Sequence, residues 1–551
     1  MTHNIQVTLN GQTVQTTSGS NIADLLEQYP HPGRHPALGA IVDHQLSGLG
    51  RRLRGNSVVT TVDLSSKAGA DIYRRTAVLI LSHAVEKLYP KNQIVVGQSI
   101  SRGYFFFLRD GKCTPQLIKK IEQEMRRLCD ADLPIRFTFM PVDEIIRYYD
   151  ALGLQAKADI LRQSITNEVL VAQLEDRYTM PYGPLAMHTG AICYFSLAPY
   201  EDGMVLRFPD QHGRLVKKPR PQPRLFSAFR EAQRWNEVIG VSDLSQLNRE
   251  LIAGRAGSLI RLVEGLHEKK IVQVADQIAA RRDKVRLILI AGPSSSGKTT
   301  TSMRLDIQLR VNGIQPVTLN MDNYYRPPEE TPHDEKGQHD FEHIEALDLP
   351  LLQDHLPRLI AGELVPTPIF NFNQHRRDST RTLPLQLRSD QVLVMEGIHA
   401  LNPKLTEGVP QAAKFKLFVS ALTQLTIDEH NRIFTSDARL IRRIVRDRLF
   451  RNYSAQKTIE MWDNVRKGEE RWIFPFQEEA DVLFNSALIY EQSVLTTYAK
   501  RFLMEVSRDA DAFVEADRLL RVLDFFIPIL PEEVPSTSVL REFIGGSAFH
   551  Y

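Results

Sequence analysis

Cysteine is scarce in this 551-residue chain: Cys113, Cys129 and Cys193 are the only three, and no CxxC spacing joins them. An odd, dispersed set excludes a disulfide framework and a zinc finger, so buried thiols are the simplest expectation. Long apolar runs are missing as well. Nothing approaches the ~20 residues that cross a bilayer, and the opening MTHNIQVTLNGQT has neither a basic n-region nor an apolar core. A cytoplasmic protein without membrane contact is expected. Charge of one sign is not in excess: the formal net charge is +2, too little to say which partners the whole surface attracts. Internal repeats and low-complexity blocks are also lacking. What remains is material for several cores, since 42% hydrophobic and 24% charged residues is ordinary globular usage and the length exceeds one core. Two to four domains follow.

Residues 5–62 alternate apolar and polar side chains (IQVTLNGQTV, SVVTTVDL) around a predicted helix at 21–28, the pattern of a small α+β module ending near Ser65. Helical periodicity returns at 73–87, 115–128 and 142–152, with strand-like runs such as IRFTFM between, which predicts a second α+β domain. KKPRPQPR (217–224) combines basic charge with three prolines, cannot continue a helix or a central strand, and reads as a solvated connector. A helical stretch then leads to about residue 282. Beyond 285 come VRLILIA, PVTLNMD, QVLVMEG, FKLFVS and ADVLF, short strands separated by helices. That alternation predicts a mostly parallel sheet flanked by helices, with ligands at the carboxyl ends of the strands. The fold class expected is therefore multidomain α+β followed by α/β. Its parts are 1–64, 65–225, a helical connector at 226–284, a phosphate-loop unit at 285–505, and a tail at 506–551.

The phosphate loop is Gly292, Pro293, Ser294, Ser295, Ser296, Gly297, Lys298, Thr299, Thr300. A buried strand precedes it and a helix follows, the context in which backbone N–H groups, a helix N-terminus and a lysine cradle nucleotide phosphates while the Thr299 hydroxyl ligates Mg²⁺. Glu396, ending VLVME, is placed to hold that ion through water. Asp322 in LNMDNYY stands at a neighbouring strand end, where a carboxylate can take the proton of an attacking hydroxyl; as a turn or helix-cap pair, Asp322-Asn323 has a purely structural reading too. TSDARLIRRIVRDRLFR reads as a helix capped near Ser436, with Leu440, Ile441, Ile444 and Val445 on one face and Arg439, Arg442, Arg443 and Arg446 on the other. Such arginines suit either a solvated face or a lid over the γ-phosphate.

GPSSSGKTT, MDNYY, HDFEHIEALD (339–348), PIFNFNQHRR (368–377), MEGIHAL and ARLIRRIVRD occur in the order of the uridine kinase and phosphoribulokinase superfamily, which residues 285–500 resemble. The resemblance implies ATP and Mg²⁺ as cofactors, Asp322 as general base beside Lys298, and Arg443, Arg446 and Arg451 as the lid. Glu342 would hold the ribose hydroxyls, and Phe370 and His375 would meet the base. The chain departs from that pattern in having Glu at 342 for Asp, Phe at 370 for Tyr, and Tyr at 453 for Arg. A lost phenolic hydroxyl removes a polar reader of the nucleobase.

ILSHAVEKLYP and TMPYGPL make the first half similar to the N-terminal part of threonyl-tRNA synthetase, a TGS-like module followed by the second additional, or editing, domain. The positions that match the synthetase's metal-ligand-type His and Cys residues are Arg75, Leu79, Pro181 and Leu185, which cannot ligate or transfer protons at neutral pH. His83, one turn past Leu79, reads as structural. Together with RNYSAQKTIEMW, GEERWIFPF, ADVLFNSALIYE and VLREFIGGSAF, the arrangement resembles a bacterial nucleoside kinase family that joins such a front to a uridine-kinase-like core. That implies an ATP:nucleoside 5′-phosphotransferase. An RNA-binding phosphate-loop NTPase or RNA-directed kinase is the alternative, with tRNA or other RNA contact by the front half and self-association left open. The tail has no evident role beyond docking on the sheet.

Overall fold

The computed structural model describes residues 3–215, 221–333, 337, 339–371, 376–423 and 425–551. Residues 217–220 (KKPR) of the proline-rich segment lie outside them, and so does His375. Pro223 of the same segment opens a helix, Pro223–Ile239, where a missing N–H costs nothing.

The first unit is a five-stranded sheet in the order Gln12–Thr17, Asn4–Leu9, Ser57–Val62, Gly39–Val42, Gln45–Ser47, covered by the helix Ile22–Gln28. Asn21 starts that helix with a reciprocal capping box to Asp24, as the polar-then-apolar pattern suggests. The next helix, Lys67–Leu88, begins six residues before its apolar periodicity does, because the Ser66 hydroxyl accepts the Gly69 N–H and fixes the start through KAGADI. It packs with Pro115–Asp130 against a four-stranded antiparallel sheet, while Arg136–Pro141 forms the edge of a separate three-stranded one. Cys113 and Cys129 are buried and Cys193 is exposed; no helix among the described residues is long and apolar enough to cross a membrane.

All five strands expected beyond residue 285 are present and parallel, ordered Gln315–Asn320, Gln391–Glu396, Leu287–Ala291, Lys414–Ser420, Val482–Asn485. The first strand in sequence is thus the central one. The chain goes from it to one side, then crosses to the other, and the crevice left at that reversal holds the phosphate loop.

Cores do not respect the boundaries read from composition. One apolar cluster takes in Ile145 and Val171 from the front half, Leu244 and Ile260 from the connector helices, Ile441 and Leu495 from the phosphate-loop unit, and Leu519 and Phe543 from beyond residue 506. The last 46 residues are therefore part of the body. They carry the helices Phe513–Leu523 and Arg541–Ile544, and the latter packs on the arginine-rich helix Thr435–Phe450 rather than on the sheet.

Candidate active site

The phosphate loop turns from Ala291 into the helix Lys298–Val311, and Ser295 and Gly297 both take positive φ, the left-handed conformation that points successive N–H groups to one side. Lys298 Nζ donates to the Pro293 carbonyl at 3.2 Å across the loop. Burial lowers its pKa, while Glu396 and Glu542 oppose the shift. Thr299 Oγ1 donates to Glu396 Oε1 at 3.2 Å, so the hydroxyl and carboxylate expected to serve a metal stand side by side. Burial, with Glu542 and Asp322 nearby, raises the Glu396 pKa, although Lys298 works against the shift. This excess of negative charge around a hydroxyl fits a hard divalent cation, which Thr299 directly and Glu396 through water would hold.

Asp322 lies in a 3₁₀ turn, Met321–Tyr324, set by the Asn320 side chain accepting the Asp322 N–H at 2.9 Å. Burial raises its pKa, and Lys298 and Arg451 pull it down. The strand end thus brings Asp322 within the field of the lysine and of one expected lid arginine. Glu342 packs on the helix Ala455–Trp472: a Cβ at Gly468 would come within 2.6 Å of the Glu342 Cβ, so only glycine lets the carboxylate in. Burial and the neighbouring Glu469 push Glu342 up to about 7, against Arg443 and Lys298. Phe370 is the penultimate residue of the strand Val365–Asn371 in a two-stranded hairpin, where its N–H donates to Asn323 Oδ1 at 3.0 Å and its ring stands 6.3 Å edge-on from Tyr325. Phe370 is in this way tied to the turn that carries Asp322 through Asn323.

The arginine helix divides its basic residues in a way that periodicity does not show. Its first residue is Thr435 with Phe434 as N-cap, so Ser436 lies inside the helix and makes no cap. Arg439 and Arg442 are fully buried and pair with Glu469 and Glu491. Each also donates to a loop carbonyl, Arg439 Nε to Ser294 O at 2.8 Å and Arg442 Nη1 to Ser295 O at 3.4 Å. Pinning those carbonyls fixes the peptide planes, and with them the direction of the loop N–H groups. Arg443 Nη1 reaches the Ser294 hydroxyl at 2.9 Å. Arg443 and Arg446 both bind the buried carboxylate of Asp447, and Arg451 stands 3.8 Å from it. Tyr453, which is 43% exposed, donates its N–H to the Asp447 carbonyl. A solvated basic face is thereby excluded for Arg439 and Arg442.

Two expected ATP contacts are already engaged within the chain. The Ser294 N–H donates to Glu469 Oε1 at 3.0 Å, and the Thr300 N–H and hydroxyl donate to Glu542. Glu469, Glu491, Asp447 and Glu542 escape sequence reasoning. Only Asp447, at i+4 from Arg443, had a local signal.

In the front half Leu79 and Leu185 lie in one apolar core, and Arg75 Nε donates to Pro184 O at 3.0 Å. Pro181 adjoins this stretch and is only partly buried. His83, 2% exposed, is not a lone imidazole: its Nε2 stands 2.8 Å from Glu175 Oε2, a carboxylate shared with Lys87. The arrangement holds no group of three or more metal-ligating side chains among the described residues.

Residues 287–490 match the phosphoribulokinase / uridine kinase family. A uridine kinase of Deinococcus deserti is 31% identical over 198 residues, 36% of this chain and 86% of the relative. Threonine–tRNA ligases of Polaromonas naphthalenivorans and Methylococcus capsulatus are 28% and 31% identical over 35% and 29% of this chain, which spans only 31% and 26% of their lengths. A solved kinase from Silicibacter sp. TM1040, assigned provisionally to fructose transport, is 17% identical over 39% of this chain and 98% of its own, with a TM-score of 0.28, too low to bear on function. Phosphate loop, parallel sheet and sequence similarity agree: this chain belongs to the phosphoribulokinase / uridine kinase family, its kinase unit fused to a threonyl-tRNA synthetase-like front.

Proposed function

We propose that the protein transfers the γ-phosphate of ATP to the 5′-hydroxyl of a nucleoside. The observation that carries this reading is Asp322, a half-buried carboxylate at the strand end beside the loop, electrostatically coupled to Lys298. A water-activating switch protein commonly has Gln in that role. Asp322 accepts the hydroxyl proton, Lys298 meets the outer phosphates, and Arg443 and Arg446, aligned by Asp447, stabilise the charge of the transferring group. Mg²⁺, held by Thr299 and by Glu396 through water, would supply charge neutralisation. Glu342 addresses the ribose, and Phe370 with His375 the base, so a base stacked on Phe370 gains area without a phenolic reader and selection among nucleobases is broad.

A nucleoside panel with ATP and Mg²⁺, scored for 5′-monophosphate with tRNA as a competing acceptor, tests this. Turnover of at least one nucleoside is expected. Phosphate appearing on RNA and on no nucleoside would replace the reading with the RNA-directed one.

A further inference from the structure

The N–H groups opening the helix Lys298–Val311 are those a nucleotide's phosphates require. At the third residue of that helix the donor is taken. Thr300 is fully buried, and both its backbone N–H (3.3 Å) and its hydroxyl (2.8 Å) donate to one oxygen of Glu542. The Tyr551 phenol lies 2.9 Å from the same hydroxyl and 3.0 Å from Ser547. This carboxylate is not a stray side chain, because the residues on either side of it are seated. Val539 is buried against Gly297, where a Cβ would come within 2.4 Å of Val539 Cγ1. Phe543 is buried with the Arg442 guanidinium 5.0 Å above its ring, and Arg442 also holds the Ser295 carbonyl. The short helix Arg541–Ile544 thus grips the loop and presents an anion to a donor that a phosphate would use.

Two anions cannot share one N–H and one hydroxyl. A phosphate arriving at Thr300 meets a carboxylate that has already satisfied both, in a region where Glu396 and Asp322 concentrate further negative charge. Resting on the reading of ATP as phosphoryl donor, we propose that Glu542 is a built-in competitor for the nucleotide phosphate at Thr300, and that ATP binds as residues 538–551 withdraw. The segment is then an autoinhibitory contact. Its release is coupled to Arg442 and the arginine helix through Phe543, so the closing elements sense whether the site is filled.

The test is equilibrium titration of the full-length protein with a non-hydrolysable ATP analogue and Mg²⁺. Glu542→Gln keeps the shape and removes the charge, and should bind about tenfold more tightly than wild type. Tyr551→Phe, which frees one partner of the Thr300 hydroxyl, should gain roughly two- to threefold. Inorganic tripolyphosphate should compete in the same order. In wild type, saturation with the analogue should raise amide exchange across 538–551, a readout that stands even if Glu542→Gln folds poorly. Equal or weaker binding by a folded Glu542→Gln, or exchange across 538–551 that stays level or falls, overturns the proposal and leaves the kinase reading intact. Failure of every protein, wild type included, to bind the analogue overturns both.

Discussion

At the scale of single residues the site separates groups that do chemistry from groups that hold them. Asp322→Asn keeps the shape and the Asn320 cap but cannot take a proton, so kcat should fall by roughly 10² to 10⁴ with ATP affinity nearly unchanged. Lys298→Ala should lower both, and steady-state kinetics beside nucleotide titration separates the two. Because burial raises the Asp322 pKa, the acid limb of the rate profile should lie above the ordinary carboxylate range, with activity falling as pH drops through it. Glu342 gives a second pH signature. Burial holds its pKa in the folded protein at about 7, above the 4.5 of a free glutamate, so between these values the folded protein holds a proton the unfolded chain has lost. Stability from this group therefore declines as pH rises through that window, and the penalty is complete above 7. Glu342→Gln should accordingly melt like wild type near pH 4.5 and increasingly above it toward pH 8, while binding acceptor more weakly; a melting difference independent of pH would sink this account. The places of Lys298, Thr299, Asp322 and Glu396 were legible because each follows or ends a strand whose apolar run gives way to a recognisable loop pattern. Glu469 was not legible, since it meets Ser294 from 175 positions away and nothing in GEERW announces that partner.

The same contrast holds for elements. The parallel strands could be read as apolar runs because strands buried on both faces, such as Leu287–Ala291 and Lys414–Ser420, have no alternative composition. The arginine helix could be located but not interpreted: amphipathic spacing says which side chains share a face, and only tertiary packing says whether that face meets water or carboxylates. In the structure it meets Glu469 and Glu491 from other elements, while Asp447 pairs with Arg443 within the helix, and the helix becomes the rear support of the phosphate loop. Glu469→Ala leaves Arg439 buried without its carboxylate and frees the Ser294 N–H, so a loss of about 3–5 kcal/mol is expected, read as a lower denaturation midpoint. Adding Arg439→Ala should cost little more than the single change, because the charge stranded by the first is removed by the second. ATP affinity should drop in both. Full additivity in this cycle would mean that the two side chains act independently of one another.

For the whole molecule, the front half is joined to the kinase unit by more than covalent linkage. Lys67, at the start of the first long helix, pairs with Glu515; Glu515 pairs with Arg518; and Arg518 binds Asp437 in the first turn of the arginine helix. This relay and the shared core join the synthetase-like front to the arginine helix, and Arg75, Leu79, Pro181 and Leu185 offer no ligand-type side chain there. His83→Ala should remove the hydrogen-bonding contact with Glu175 and lower stability by roughly 1–3 kcal/mol while leaving kcat for phosphoryl transfer unchanged. The protein should neither deacylate mischarged tRNA nor retain stoichiometric zinc after dialysis against a mild chelator. Deacylation that disappears in His83→Ala would return a catalytic role to this half.

The seating of Val539 and Phe543 behind the phosphate loop also has a temporal meaning. The loop leaves the ribosome some 240 residues before the segment that walls it in, which at ordinary elongation speeds is on the order of ten to fifty seconds. Throughout that interval the apolar surface that Leu519, Val539 and Phe543 will cover stands open, on a chain whose front half has already been made. The growing chain is thus most exposed to aggregation just before residues 513–544 are added, so chaperone demand should fall most heavily at that stage.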